Sequence, residues 1–281
     1  MEVFRAAESL KSALANDSGK LTIGLVPTMG ALHKGHLSLV KNAKDQCDIV
    51  VVSIFVNPTQ FDNTSDLAKY PRGVEKDLET LDREFPGALA FIPSEEEIYK
   101  GQTQAEHFDF GELTKTMEGK FRSGHFNGVG TILKKLFEAV EPHKAFFGEK
   151  DYQQLLIAKK LVQLTRQSVS VIGVHIVREE NGLALSSRNE HLSYEKREEA
   201  GFIFDLLQGV KKDFLKIPFA EIQKKINREL ALHPDFKLEY FEVAEAKTLK
   251  IVEGHDPEKN YRAFIAIYVE NVRLIDNLAL N

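Results

Sequence analysis

The chain has 281 residues, 43% of them hydrophobic and 28% charged, with a formal charge of −5 and one cysteine, Cys47. These proportions describe an ordinary soluble protein of one large domain or two smaller ones. They exclude an overall basic field for nucleic acid, the roughly 20-residue apolar run of a membrane helix, and an intramolecular disulfide. The first residues carry an early acid and no long apolar stretch, so no signal peptide is expected and a cytoplasmic setting is the default. Cys47 sits among apolar neighbours and reads as a buried thiol.

Ala6, Ala7, Leu10, Ala13 and Leu14 fall at helical spacing, so a first helix is expected over 5–15, broken by the polar run 16–19. Residues 21–26 then form an apolar run short enough for a buried strand. It leads into Pro27-Thr28-Met29-Gly30-Ala31-Leu32-His33-Lys34-Gly35-His36, after which Leu37, Leu39, Val40 and Ala43 suit a helix. The segment reads as strand, tight loop, helix. Gly30 and Gly35 permit close backbone approach, and a helix opening near Gly35 aims free N–H groups and its positive dipole end at an anion. That is a phosphate site in outline. His33 and His36 are three apart and can reach one side of the helix mouth, where protonated rings would neutralise charge growing on phosphorus. By spacing alone such a pair is more often exposed surface groups or an incidental metal pair, although no Asp, Glu or Cys in that turn completes a ligand set.

Residues 48–56 are a nearly continuous β-branched run, as expected of a parallel strand covered on both faces. Two such strands joined by a helix make a right-handed βαβ unit with ligands beyond the carboxyl ends. There Asn57-Pro58-Thr59-Gln60 is either a turn opener or a substrate contact, Gln60 offering both donor and acceptor. A helix is expected over 74–85, with Asp77 in its early turns, where it serves the solvent, the macrodipole or a bound Mg²⁺. Residues 88–92 read as a third strand and 94–104 as a loop or short charged helix. The stretch 121–131 places three glycines beside Arg122 and His125 before Ile132, Leu133, Leu136, Phe137 and Val140 at helical spacing, a second loop-to-helix entrance. A short strand over 144–147 gives way to Gly148-Glu149-Lys150-Asp151, then a helix whose first turn carries Gln154. Lys150 can pair with phosphate and Asp151 can accept from a ribose or amine. A strand over 169–177, a turn over 178–182, and Leu185-Ser186-Ser187-Arg188 follow, the last as a helix cap or as a clamp on phosphoryl oxygens. Beyond 177, amphipathic helices over 195–214 and 219–232 precede strands over 238–244 and 261–269. The fold class is α/β: a Rossmann-like parallel sheet over 1–177 with a smaller α+β part, or lid, over 178–281.

The run from Pro27 to His36 resembles the signature of the pantothenate synthetase (pantoate–beta-alanine ligase) family, within the nucleotidylyltransferases whose H-x-G-H element is shared with class I aminoacyl-tRNA synthetases. Matching motifs in the same order extend the resemblance over nearly the whole chain. It implies Mg-ATP activation of (R)-pantoate to pantoyl-adenylate, then attack by the amine of beta-alanine, giving pantothenate, AMP and diphosphate. Met29, Gly30, Ala31, Leu32, His33, Lys34, Gly35 and His36 would contact ATP, with both imidazoles on its phosphates and His36 as proton donor. Gln60 and Gln154 would hold pantoate, Gln60 also neighbouring beta-alanine. Gly148, Glu149, Lys150, Asp151, the Val177 backbone, Leu185, Ser186, Ser187 and Arg188 would complete the nucleotide site, with Lys150 and Arg188 assisting catalysis. The family's Glu-Asp pair ahead of Leu-x-x-Tyr-Pro-Arg is Ser65-Asp66 here, and Lys76 stands where some members carry an acid, which leaves Asp77 as the candidate Mg²⁺ ligand. A cytoplasmic homodimer that engages neither nucleic acid nor membrane is also implied. Without the resemblance, the same residues suit a nucleotidylyltransferase acting on a phosphorylated acceptor, or a regulatory nucleotide-binding module.

Overall fold

A computed structural model describes residues 1–17, 21–62, 64–252 and 256–281. In chain order the elements are β1 (Glu2–Phe4), α1 (Ala7–Asp17), β2 (Ile23–Thr28), α2 (Lys34–Lys44), β3 (Ile49–Ile54), α3 (Thr64–Lys69), α4 (Val74–Glu84), β4 (Leu89–Phe91), α5 (Glu95–Tyr99), α6 (Met117–Phe121), α7 (His125–Val140), β5 (Lys144–Gly148), α8 (Tyr152–Thr165) and β6 (Ser170–Val174). Then come α9 (Tyr194–Glu199), α10 (Phe202–Asp213), α11 (Phe219–Ala231), β7 (Lys237–Glu245), β8 (Tyr261–Val269) and β9 (Val272–Ala279). Of the break expected over 16–19, residues 18 and 19 lie outside the described residues, as does the side chain of Ser65.

The apolar runs become parallel strands in the order β1-β4-β3-β2-β5-β6. Alternate side chains enter opposite layers, as a period of two dictates. Leu25, Val51 and Phe147 pack with α1, α7 and α8, whereas Val26, Val52 and Phe146 pack with α2 and α4. Each fully buried Leu or Phe contributes about 1.5–3 kcal/mol relative to exposure. The chain leaves β2 for β3 on one side and later returns to place β5 on the other, so the β2/β5 boundary is the switch point where a ligand crevice opens.

The second part is the antiparallel sheet β7-β8-β9. One face buries Val243, Ile265 and Ile267 against α10 and α11, while the other sets Tyr240 and Phe264 against Tyr152 and Met117. The small sheet therefore docks on the start of α8, beside the crevice.

Three features differ from the sequence reading. The helix expected over 195–214 divides into α9 and α10 at Ala200-Gly201, where the Asn181 carbonyl approaches so closely that a Cβ at Gly201 would stand 2.3 Å from its oxygen. Helix α7 opens at His125, so Gly128 and Gly130 lie within it and not in a loop. Gly128 lets the helix press on the Pro58–Gln60 turn, where a Cβ would meet Thr59 O at 2.1 Å. The sequence reading lacked β1, three residues long, and β9, whose apolar pattern is broken by Asp276-Asn277.

Candidate active site

Strand β2 ends in a loop whose backbone is forced into the left-handed region at Gly30 (φ +82°) and Ala31 (φ 50°). Ala31 is strained there, having a Cβ. Asp77 of α4 holds it: Oδ2 accepts from Ala31 N at 2.9 Å and Oδ1 from Leu32 N at 2.7 Å. Burial raises the Asp77 pKa, and the two amides offset only part of that rise. Expected as a magnesium ligand, Asp77 has both carboxylate oxygens on amides of the loop that precedes the His pair. No group of three or more His, Cys, Asp or Glu among the described residues could hold a metal ion.

His33 is the N-cap of α2, its Nδ1 accepting from Gly35 N at 3.1 Å, while His36 Nδ1 accepts from His33 N at 3.4 Å. The rings lie 4.0 Å apart. An Nδ1 that accepts leaves the neutral ring's proton on Nε2, so each imidazole is a directed Nε2–H donor. Burial, reinforced by Lys150, lowers the His33 pKa to about 4; burial, the neighbouring His33 and Lys150 lower that of His36 to about 3. Both rings are therefore held neutral near pH 7, because they are desolvated and already face a cation. Gly35 is required by the cap, since a Cβ there would lie 2.8 Å from His33 Cε1.

At the end of β3, Gln60 is fixed on all sides. Its Oε1 accepts from Asn57 Nδ2 at 3.1 Å and its Nε2 donates to Met29 Sδ at 3.1 Å. His125 Nδ1 donates to the Gln60 carbonyl at 2.7 Å and its Nε2 accepts from Arg122 Nη1 at 3.2 Å. Burial and the Arg122 charge bring the His125 pKa down to about 4. Arg122 itself lies 3.8 Å from Glu118 Oε2. Burial raises the Glu118 pKa, yet the bidentate bonds and charge of Arg273 outweigh it and the net shift is downward.

From β5 the Glu149–Asp151 turn sends Lys150 into the same cavity, its Nζ 3.8 Å from Asp151 Oδ1. Gln154 faces inward, whereas its neighbour Gln153 turns to hold Leu113 O, Thr116 O and Glu118 N. The opposite wall is the segment 177–188: Leu185 N donates to Val177 O at 3.0 Å, and Ser186 Oγ accepts from Arg188 N at 3.3 Å. Arg188 Nη2 donates to Asp66 Oδ2 at 2.9 Å.

One cavity thus brings together Met29, His33, Gly35, His36, Gln60, Gly148, Lys150, Asp151, Gln154, Val177, Leu185, Ser186, Ser187 and Arg188. Gly30, Ala31, Leu32 and Lys34 are not on its wall but shape the loop behind it. The Glu149 side chain is likewise off the wall: it pairs with Arg262 Nη2 at 3.2 Å and stands 3.6 Å from His175 Nδ1. Asn57 lines the cavity too, as do Tyr70, Asp276 and Asn277, to which the sequence assigned no role. Only Asn57, closing an apolar strand ahead of a proline, carried a signal there.

The family model for pantoate-beta-alanine ligase matches residues 2–279. The pantothenate synthetase of Christiangramia forsetii is 50% identical over 283 residues, covering 100% of both chains. That of Flavobacterium psychrophilum is 49% identical over 92% of each. Among solved structures, pantothenate synthetase from Thermus thermophilus superposes with a TM-score of 0.91 at 38% identity, covering 100% of this chain and 99% of that one. The Francisella tularensis pantoate-beta-alanine ligase, complexed with beta-gamma ATP and beta-alanine, gives 0.83 at 35% identity over 100% of this chain and 98% of its own. Sequence and overall fold agree over nearly the whole chain, and the chain belongs to the pantoate-beta-alanine ligase family.

Proposed function

We propose that this chain condenses (R)-pantoate with beta-alanine at the cost of ATP, giving pantothenate, AMP and diphosphate through pantoyl-adenylate. One observation carries the reading: two neutral imidazoles at the mouth of α2 direct Nε2–H donors into a cavity that also holds Lys150 and the amides of Gln60 and Gln154. Donors and a cation suit a triphosphate, and the amides suit a small hydroxy acid.

The pantoate carboxylate is already ionised at neutral pH and attacks the α-phosphorus, releasing diphosphate. No general base is required for that step. His33 and His36 donate to phosphoryl oxygens, Lys150 and Arg188 balance the charge that builds on them, and Ser186 and Ser187 line the opposite wall. Arg188 must exchange Asp66 for phosphate to do so. The beta-alanine amine then attacks the acyl carbon, the acyl–phosphate bond breaks, and AMP leaves. Mg²⁺ would accompany the nucleotide as Mg-ATP and offset phosphate charge, and Asp77 supports the nucleotide loop.

The division into 1–177 and 178–281 belongs to the same proposal, supported by Leu183 and Leu192 packing with the C-terminal core. So do a cytoplasmic setting and a homodimer, which follow from the resemblance; sedimentation of the purified protein tests the dimer. No helix among the described residues is long and apolar enough to cross a membrane. The deciding assay supplies ATP, Mg²⁺ and pantoate and follows AMP with and without beta-alanine. AMP release that depends on the amine is expected, and its absence from the complete mixture overturns the reading.

A further inference from the structure

The turn that bears Lys150 is not held by its own caps: no side-chain hydrogen bond caps the Glu149–Asp151 turn or the N-terminus of α8. It is tied instead to β9. Asn277 Nδ2 donates to the carbonyls of Glu149 at 2.9 Å and Lys150 at 2.8 Å, while its Oδ1 accepts from Arg262 Nη1. Both side-chain amide protons are thus committed to the backbone of the lysine turn, and Arg262 fixes the orientation of the amide. Arg262 also donates to Glu149 Oε2 and stacks on Tyr152, so the clamp grips the turn from two sides. The preceding residue serves the other wall. Asp276 accepts from Arg178 Nη1 at 2.6 Å and Nη2 at 2.9 Å, and Arg178 Nη1 donates in turn to Gly182 O at 3.0 Å, which closes the hairpin next to Val177 and Leu185. Successive strand residues point to opposite faces, so one short stretch of β9 reaches both loops. Asp276 and Asn277 are 5% and 2% exposed. Polar groups buried that deeply cost stability unless paired, and here the pairing goes to the two loops of the nucleotide seat.

Resting on the ligase reading, we propose that Asn277 is a positioning residue of the reaction, setting through the Glu149 and Lys150 carbonyls where the Lys150 ammonium stands in the phosphate seat. Both of its amide protons are committed to those carbonyls, so it acts through the lysine. Displacing a catalytic group by about 1 Å lowers rates about 100-fold, so the clamp has a kinetic readout distinct from stability.

The test is a double-mutant cycle. Asn277→Ala is made in the native chain and in Lys150→Ala, and diphosphate release from ATP and pantoate is followed together with Mg-ATP affinity by calorimetry. Asn277→Ala alone is expected to lower the adenylation rate about 100-fold, with KM for pantoate changed less than about 3-fold. In the Lys150→Ala background it is expected to cost less than about 3-fold, because what it positions is gone. Asn277→Asp retains the shape and the acceptor for Arg262 but lacks the donors. It repeats the cycle should the alanine variant not fold. Effects that multiply across the two backgrounds, or a single variant within about 2-fold of the native rate, overturn the proposal. A native protein that releases no diphosphate overturns the ligase reading instead, and the cycle on Mg-ATP affinity still decides the role of Asn277: coupling supports it and additivity sinks it.

Discussion

Replacing Gly35 with alanine separates stability from catalysis at the His pair. In most helices the change stabilises by about 0.5–1 kcal/mol. Here the new Cβ would lie 2.8 Å from His33 Cε1 and 2.9 Å from Nδ1, where ordinary contact begins near 3.4 Å. The ring must move by about 0.6 Å, and with it goes the Gly35 N–H bond to Nδ1, an N-cap worth about 1 kcal/mol. The two stability terms nearly offset each other, so the melting temperature should shift by only a few degrees. The rate should not be spared, because a donor displaced by most of an ångström costs about 10–100-fold. Gly209→Ala in α10 is the control: nothing lies within 4 Å of its Cβ, so a small gain in stability with no kinetic change is expected. Initial rates of diphosphate release and thermal melts on the same preparations decide the matter. A Gly35→Ala enzyme with native turnover would refute the assignment of His33 as a directed donor.

His36→Ala should lower turnover about 100–1,000-fold, as for loss of a directed donor on a developing charge, while the melting temperature moves little; steady-state rates and melts check both. The buried imidazoles make folding stability pH-dependent. His33, His36 and His125 sit below their unfolded value of 6.5, so the unfolded chain takes up protons first, and stability present above pH 6.5 is lost as pH falls towards 4. Urea unfolding at pH 7.5 and 5 should show the loss, and His125→Asn, which keeps a donor for the Gln60 carbonyl, should flatten it. Asp77→Asn should slow adenylation by loosening the Ala31–Leu32 loop while leaving the Mg²⁺ concentration for half-maximal rate unchanged. A shifted Mg²⁺ requirement would instead assign that carboxylate to the metal.

The parallel sheet was legible because buried strands such as 48–56 advertise themselves as unbroken β-branched runs, and the nucleotide loop because His33, Gly35 and His36 stand beside such a strand. What sequence alone could not give was where polar groups end in space. Asp77 looks like any helix carboxylate until α4 is seen to bring it beneath Ala31 and Leu32. Glu149 and Lys150 are adjacent and both charged, yet only the lysine turns inward, because Arg262 in β8 claims the glutamate. The lowered pKa values of the His pair were hidden for the same reason, burial being a property of the assembled fold. Strand β9 escaped notice because Asp276 and Asn277 interrupt its apolar pattern, and they do so at the contacts that bind it to the site.

The bond from Gln60 to the Met29 thioether has a bearing on oxidative damage. A thioether is a poor acceptor, so the amide exchanges it readily for a ligand oxygen. Conversion of that sulfur to its sulfoxide would install a strong, polar oxygen in its place, competing with the incoming acid for the same amide. Peroxide exposure would then act as a reversible brake that weakens capture of the hydroxy acid, and methionine sulfoxide reductase would release it.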